Sequence, residues 1–165
     1  MLQLIRTRRS IRTFTGQAVE DEIIAQIIEA GTWAPSGLNN QPWKVAVIRD
    51  PATIKAIAPL TRYARIIEGA PVLLAPFLDT AASYDRTKDI QAMGAFIQNM
   101  LLAIHALGLG GVWLGEILKN KEKVARIVNA PEDLELMAVI ALGHPAEGGG
   151  KGSRKSVKDV VFYQG

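Results

Sequence analysis

The sequence contains no cysteine, which rules out disulfide staples, thiolate nucleophiles and thiolate metal ligands. It has only two histidines, His105 and His144. One falls among apolar neighbours near the end of a predicted helix and the other follows a predicted strand, and both read as structural. No His-Glu-x-x-His run or carboxylate–histidine cluster offers a zinc or iron site. No Gly-x-Ser-x-Gly elbow appears, Ser36 has no evident base, and a Walker-type lysine loop is missing. No window approaches the ~18 uninterrupted apolar residues of a membrane span. The basic N-terminus lacks the apolar stretch and cleavage site of a secretory signal, so a cytoplasmic location is the expectation. Aromatics number only ten, too few for the broad basic face with interleaved rings that marks a nucleic-acid binder.

What is present is an ample supply of core. At 165 residues and 48% hydrophobic content, one domain spanning 1–165 is expected. Mean hydropathy of +0.14 is high for a chain with 21% charged residues, so part of its apolar surface should lie under a partner subunit. The net charge of +3 is unevenly spread. Residues 1–19 hold Arg6, Arg8, Arg9 and Arg12 and no acid, and residues 151–165 hold Lys151, Arg154, Lys155 and Lys158 against Asp159 alone. The body between carries eleven bases and fifteen acids. Two basic ends around an acidic body suggest convergence on one small anion such as a phosphate.

Leu2 to Thr7 predicts a short helix, and the alternation Ser10-Ile11-Arg12-Thr13-Phe14 an extended segment with Ser10 and Arg12 on one side. Acids at Glu20, Asp21 and Glu22 precede the stripe Ile23, Ile24, Ile27, Ile28, marking a helix that Pro35 closes. The loop Ala34–Trp43 is long for a connection and dense in amides, with Ser36, Asn39, Asn40 and Gln41, which suggests a ligand-facing surface. Lys44–Arg49 reads as a strand, and Asp50-Pro51 as N-cap and first residue of a helix. Ala70–Asp79 is an apolar strand covered on both faces, in which Pro76 points to an edge, a bulge or an early end. The longest helix is expected over Lys88–Leu107, with Ile90, Met93, Ile97, Leu101 and Ile104 inward. A strand at Gly111–Gly115, a helix capped by Asn120, a strand at Leu134–Leu142, a flexible glycine loop and an extended arm at Ser156–Phe162 complete the chain.

The glycines at 108, 110 and 111 close a helix and open a strand, the reverse of a phosphate-cradling dinucleotide loop. With acid–base and metal machinery scarce, chemistry performed by a cofactor gains weight. A flavin asks little of its host: a cationic clamp for the phosphate, a positive group near N1 and O2, backbone donors near N5, and an open face. Arg8 and Arg12 are candidates for the cation at the ring edge.

Arg8-Arg9-Ser10-Ile11-Arg12-Thr13-Phe14 and Ala34-Pro35-Ser36-Gly37-Leu38-Asn39-Asn40-Gln41-Pro42-Trp43 resemble the two N-terminal signatures of the nitroreductase family. Leu107–Gly115 resembles its central signature and Gly152-Ser153-Arg154 its C-terminal phosphate motif. The resemblance implies an α+β fold: a dimeric, three-layer α/β/α sandwich around a mixed, mainly antiparallel sheet. It also implies FMN at the subunit interface, reduced by NADH or NADPH in a ping-pong cycle. Hydride then passes from flavin N5 to nitroaromatic, quinone or related acceptors. Reductive dehalogenation, flavin-ring breakdown and a non-catalytic flavin-binding module are the alternatives. On this resemblance Arg8 and Ser10 hold the phosphate and ribityl chain, joined by Arg154, Arg9 is among the cofactor-binding residues, and Arg12 sits near O2. Pro35, Ser36, Gly37 and Asn39 reach the ring from the other subunit. Leu114, Gly115 and Glu116 offer backbone near N5 and O4. No catalytic side chain and no metal is implied, and Arg62, Arg65 and Lys88 are candidates for the remaining polar flavin contacts.

Overall fold

Both faces of the apolar run after Pro71 are buried, because it forms the middle of a sheet with helices above and below. The computed structural model describes residues 1–165. The strands are β1 (Trp43–Ile48), β2 (Val72–Asp79), β3 (Gly110–Leu114), β4 (Leu134–Leu136) and β5 (Val139–Gly143). They run in the order β1-β2-β5-β3, with β4 also on β2, and every ladder is antiparallel. The sole parallel contact is a bridge from Ser10 to Gly111 at the β3 edge. The helices are α1 (Leu2–Thr7), α2 (Asp21–Thr32), α3 (Pro51–Ile57), α4 (Ala64–Glu68), α5 (Arg86–Ala106), α6 (Lys121–Ile127) and α7 (Val157–Val160).

Strand alternation divides the core in two. Val72, Leu74, Leu78, Ile140 and Leu142 join α2 and α5 on one face. Leu73, Ala75, Phe77, Val139 and Ala141 join α3, α4 and α6 on the other. Three layers result, as the resemblance implied. Helix α5 is the inner pillar of the first layer, with Phe96, Ile97, Met100 and Ile104 fully buried.

Several expectations need correction. Leu134–Leu142 is two strands, broken at Met137 and Ala138. That break explains Pro76, which lies in the central strand rather than at an edge. Its carbonyl accepts from Met137 N–H at 2.9 Å. A residue's N–H and C=O share one side of a strand, so the donor that proline lacks would face the same junction, where no ladder bond is lost. Residues 156–162 do not form an extended arm. Ser156 and Asp159 make a reciprocal capping box that nucleates α7. Asn120 precedes α6 without capping it; its amide instead donates to the Leu60 carbonyl at 2.7 Å. Ile90 lies at the margin of the buried stripe and is exposed, while its neighbour Asp89 is fully buried. Helix α4, five residues long, is too short to leave a periodic signal.

Candidate active site

The N-terminal segment is held along the β3 edge by the Ser10–Gly111 bridge and by Ile11 N–H donating to the Gly111 carbonyl at 3.1 Å. This carries Arg8, Arg9, Ser10 and Arg12 past the strand that leads into Gly115. The C-terminal segment returns to the same place. A methyl group placed on Gly152 would lie 3.0 Å from Arg9 Nε and 3.3 Å from Arg154 Nη1, so those two nitrogens stand within about 6 Å of each other. Partial burial lowers the pKa of Arg8, and the charges of Arg154 and Arg9 lower it further. None of Arg8, Arg9, Arg12 and Arg154 has a carboxylate within ion-pair distance. Arg9 folds back on its own backbone, donating to the carbonyls of Arg6 at 2.6 Å and Arg8 at 2.8 Å. Three guanidiniums in mutual repulsion, without a counter-charge, make a site that favours an anion.

Beyond β3, Leu114 is buried and Gly115 opens a 3-10 turn over Glu116–Asn120. The Glu116 carboxylate is already occupied. It pairs with Lys119 and accepts from Thr61 Oγ1 at 2.6 Å and Arg62 N–H at 3.1 Å. Lys119 and Thr61 together hold its pKa down at about 2. Only backbone remains here to meet a ligand, and Arg62 is fastened beside it. A cavity of about 460 Å³ lined by Arg9, Ile11, Thr7, His105 and Pro145 lies next to the arginines.

The amide-rich loop lies elsewhere. Pro35, Ser36 and Gly37 line a second cavity, about 320 Å³, with Tyr84, Lys88 and Gln91 at the N-terminal half of α5. Thr7 and His105, bonded at 2.9 Å, mark its C-terminal end. At 21 residues α5 is about 31 Å long, and neither of these two cavities is lined by both groups. Within one chain, the structure gathers Arg8, Arg9 and Arg154; Ser10 bridges Gly111, and the chain then bonds through Thr13 and Thr15 to Ala146 and His144, at the Gly110 end of β3 rather than the Leu114 end. The structure does not bring Pro35, Ser36, Gly37 or Asn39 to the arginines.

The nitroreductase family profile matches residues 5–64 and 60–144. The chain belongs to the nitroreductase family. A Methanothermobacter thermautotrophicus protein provisionally named NADH dehydrogenase/NAD(P)H nitroreductase is 34% identical over 152 residues, covering 91% of this chain and 80% of its own. The FMN reductase [NAD(P)H] of Bacillus subtilis is 28% identical, over 93% of this chain and 69% of its own. Among solved structures, a Desulfovibrio desulfuricans protein provisionally named a nitroreductase, in complex with FMN, superposes with a TM-score of 0.94 at 48% identity, covering 99% of this chain and 96% of that one.

Sequence reasoning missed the groups that shape the loop. Asp89 is fully buried and Tyr84 lies against Gly37. Asp85, which caps α5 by accepting from Lys88 N–H at 3.0 Å, was also unforeseen. Its signal was legible as Asp before a run with helical spacing. Burial would raise the Asp89 carboxyl, but hydrogen bonds from Ser83, Asn40, Asp85 and Tyr84 outweigh it and hold the pKa below the ordinary value.

Proposed function

We propose that this nitroreductase-family chain is an FMN-dependent oxidoreductase, acting as one flavin-binding domain over residues 1–165 and as a homodimer. The observation that carries the reading is the gathering of Arg8, Arg9 and Arg154 from both chain ends with no acid among them. A flavin mononucleotide phosphate supplies the missing charge, and the residues present fit it. When bound, FMN would supply hydride transfer between NADH or NADPH and a nitroaromatic, quinone or related acceptor. The chain's own work is placement. Arg8, Arg9, Ser10 and Arg154 hold the phosphate end, and Arg12 keeps a permanent positive charge at the N1–O2 edge. The backbone of Leu114, Gly115 and Glu116 meets the N5 side. Substrate protons come from water or a loosely placed group, since no side chain stands out as an acid.

Pro35, Ser36, Gly37 and Asn39 complete the site from a second copy. Two features support this. The loop and the arginines lie toward opposite ends of α5 in one chain. Trp33, Leu38 and Phe162 are 81%, 85% and 102% exposed, apolar area that a partner would cover. No helix is long and apolar enough to cross a membrane. The visible absorption spectrum of the purified protein, followed by NADH and NADPH oxidation with a nitroarene or quinone, tests the reading. Flavin bands and turnover are expected; a colourless protein that takes up no FMN refutes it, and a yellow protein without turnover leaves a binding module.

A further inference from the structure

We infer that Asp89 is a positioning residue, which through Asn40 clasps the 36–41 loop in the shape that meets the flavin; this rests on the flavin reading above.

The loop is costly to hold. Leu38, Asn39 and Gln41 have φ of 55°, 54° and 46°, left-handed backbone that side-chain-bearing residues rarely adopt and that persists only where the surroundings enforce it. Within one chain Leu38 is exposed and adds no packing that would enforce this shape. Beyond the loop's own backbone hydrogen bonds, the side chains of Ser36 and Asn40 restrain it. Ser36 Oγ accepts from Gln41 N–H at 3.0 Å, closing the loop on itself. The Asn40 amide nitrogen reaches out of the loop, donating to Asp89 Oδ1 at 2.8 Å and to the Ala82 carbonyl at 3.1 Å.

Asp89 is built as the fixed end. Its Oδ2 accepts from Ser83 Oγ at 2.6 Å, Tyr84 N–H at 3.0 Å and Asp85 N–H at 3.2 Å. Every neighbour is a donor, so a carboxylate with two acceptor oxygens fits where an amide would set hydrogen against hydrogen. The same carboxylate therefore holds the loop through Asn40 and the segment carrying Tyr84. The Tyr84 ring lies against Gly37, so closely that a methyl group on Gly37 would stand 1.9 Å from its hydroxyl oxygen. At the loop's far end, Trp43 stacks on Phe96 of α5 at 5.1 Å. The loop is thus pinned to one helix at Asn40 and Trp43, and only the Asn40 end depends on a buried charge.

Asn40→Ala removes the clasp while leaving Asp89 its three other donors; Asp89→Asn perturbs all four and risks the fold. For Asn40→Ala, amide hydrogen exchange over residues 37–43 should rise about tenfold or more, with α5 interior amides unchanged. FMN affinity of the apoprotein should fall about tenfold. The apoprotein thermal midpoint should fall by a few degrees, because Asp89 Oδ1 and the Ala82 carbonyl each lose a donor; exchange that rises in the loop and not in α5 separates a local clasp from a general loss of stability. Unchanged exchange overturns the clasp, and a loosened loop with native FMN affinity overturns its role in positioning. If the wild-type protein takes up no FMN, the flavin reading falls and the positioning role with it, while exchange still decides whether the clasp exists.

Discussion

Replacing Arg154 with alanine should weaken FMN binding and, against the usual trend, leave the apoprotein no less stable. With Arg9 Nε and Arg154 Nη1 within about 6 Å, their repulsion in a water-like medium is ~0.7 kcal/mol, less under physiological salt. Relieving it should raise the apoprotein's thermal midpoint by ~1–2 °C for a chain of this size. In the proposed complex the same guanidinium would donate to phosphate, and losing a charge-assisted contact of ~1.5–3 kcal/mol would weaken FMN by roughly 10- to 150-fold. Riboflavin, which lacks the phosphate, should bind both proteins alike. Fluorescence-quenching titrations with FMN and riboflavin, beside thermal melts of the apoprotein at low salt, provide the comparison. Equal weakening of both ligands, or a destabilised apoprotein, would show that Arg154 is not a phosphate clamp.

Gly31→Ala tests the packing between α2 and α5. The new methyl would stand 2.7 Å from Phe96 Cε2 and 2.9 Å from Met100 Cγ, both buried. Overpacking of ~1–3 kcal/mol outweighs the ~1 kcal/mol gained in helix propensity, so thermal denaturation should begin several degrees lower. Gly37→Val would force Tyr84 aside; that ring is 44% exposed and free to swing, so the melt should change little while FMN loading falls. Acid should also destabilise the protein. Glu116 and Glu135 are held near pKa 2, Glu116 chiefly by Lys119 and Glu135 by Arg86. Stability from both is fully present above the unfolded value near 4.5 and is lost as pH falls toward 2. Melts across that window should show the loss, and Glu135→Gln should flatten it; an unaltered pH profile counts against the pairing.

The parts of the fold that were legible in the sequence were those in which neighbouring residues decide the outcome. The apolar run of β2, the inward stripe of α5 and the Asp50-Pro51 start of α3 each depend on local spacing or capping. The charge distribution suggested that the two basic ends meet, and the structure brings Arg8, Arg9 and Arg154 together. What local pattern could not show were features set by distant partners. The split between β4 and β5 depends on where Pro76 falls in the neighbouring strand. Asp89 looks like any acid near a helix start, and its burial depends on Asn40, 49 residues away. The positive φ angles of the loop likewise follow from what holds it rather than from its composition.

The most direct test of a site shared between copies is complementation. One chain carries Arg8→Ala and Arg154→Ala, the other Gly37→Val, and the mixed dimer is isolated with two affinity tags. If the arginines and the loop come from different chains, one site of the mixed dimer is wholly native, and about half the wild-type flavin content and turnover should return although each variant alone has neither. A mixed dimer as empty as its parents would mean that each site draws on a single chain, and would contradict the account.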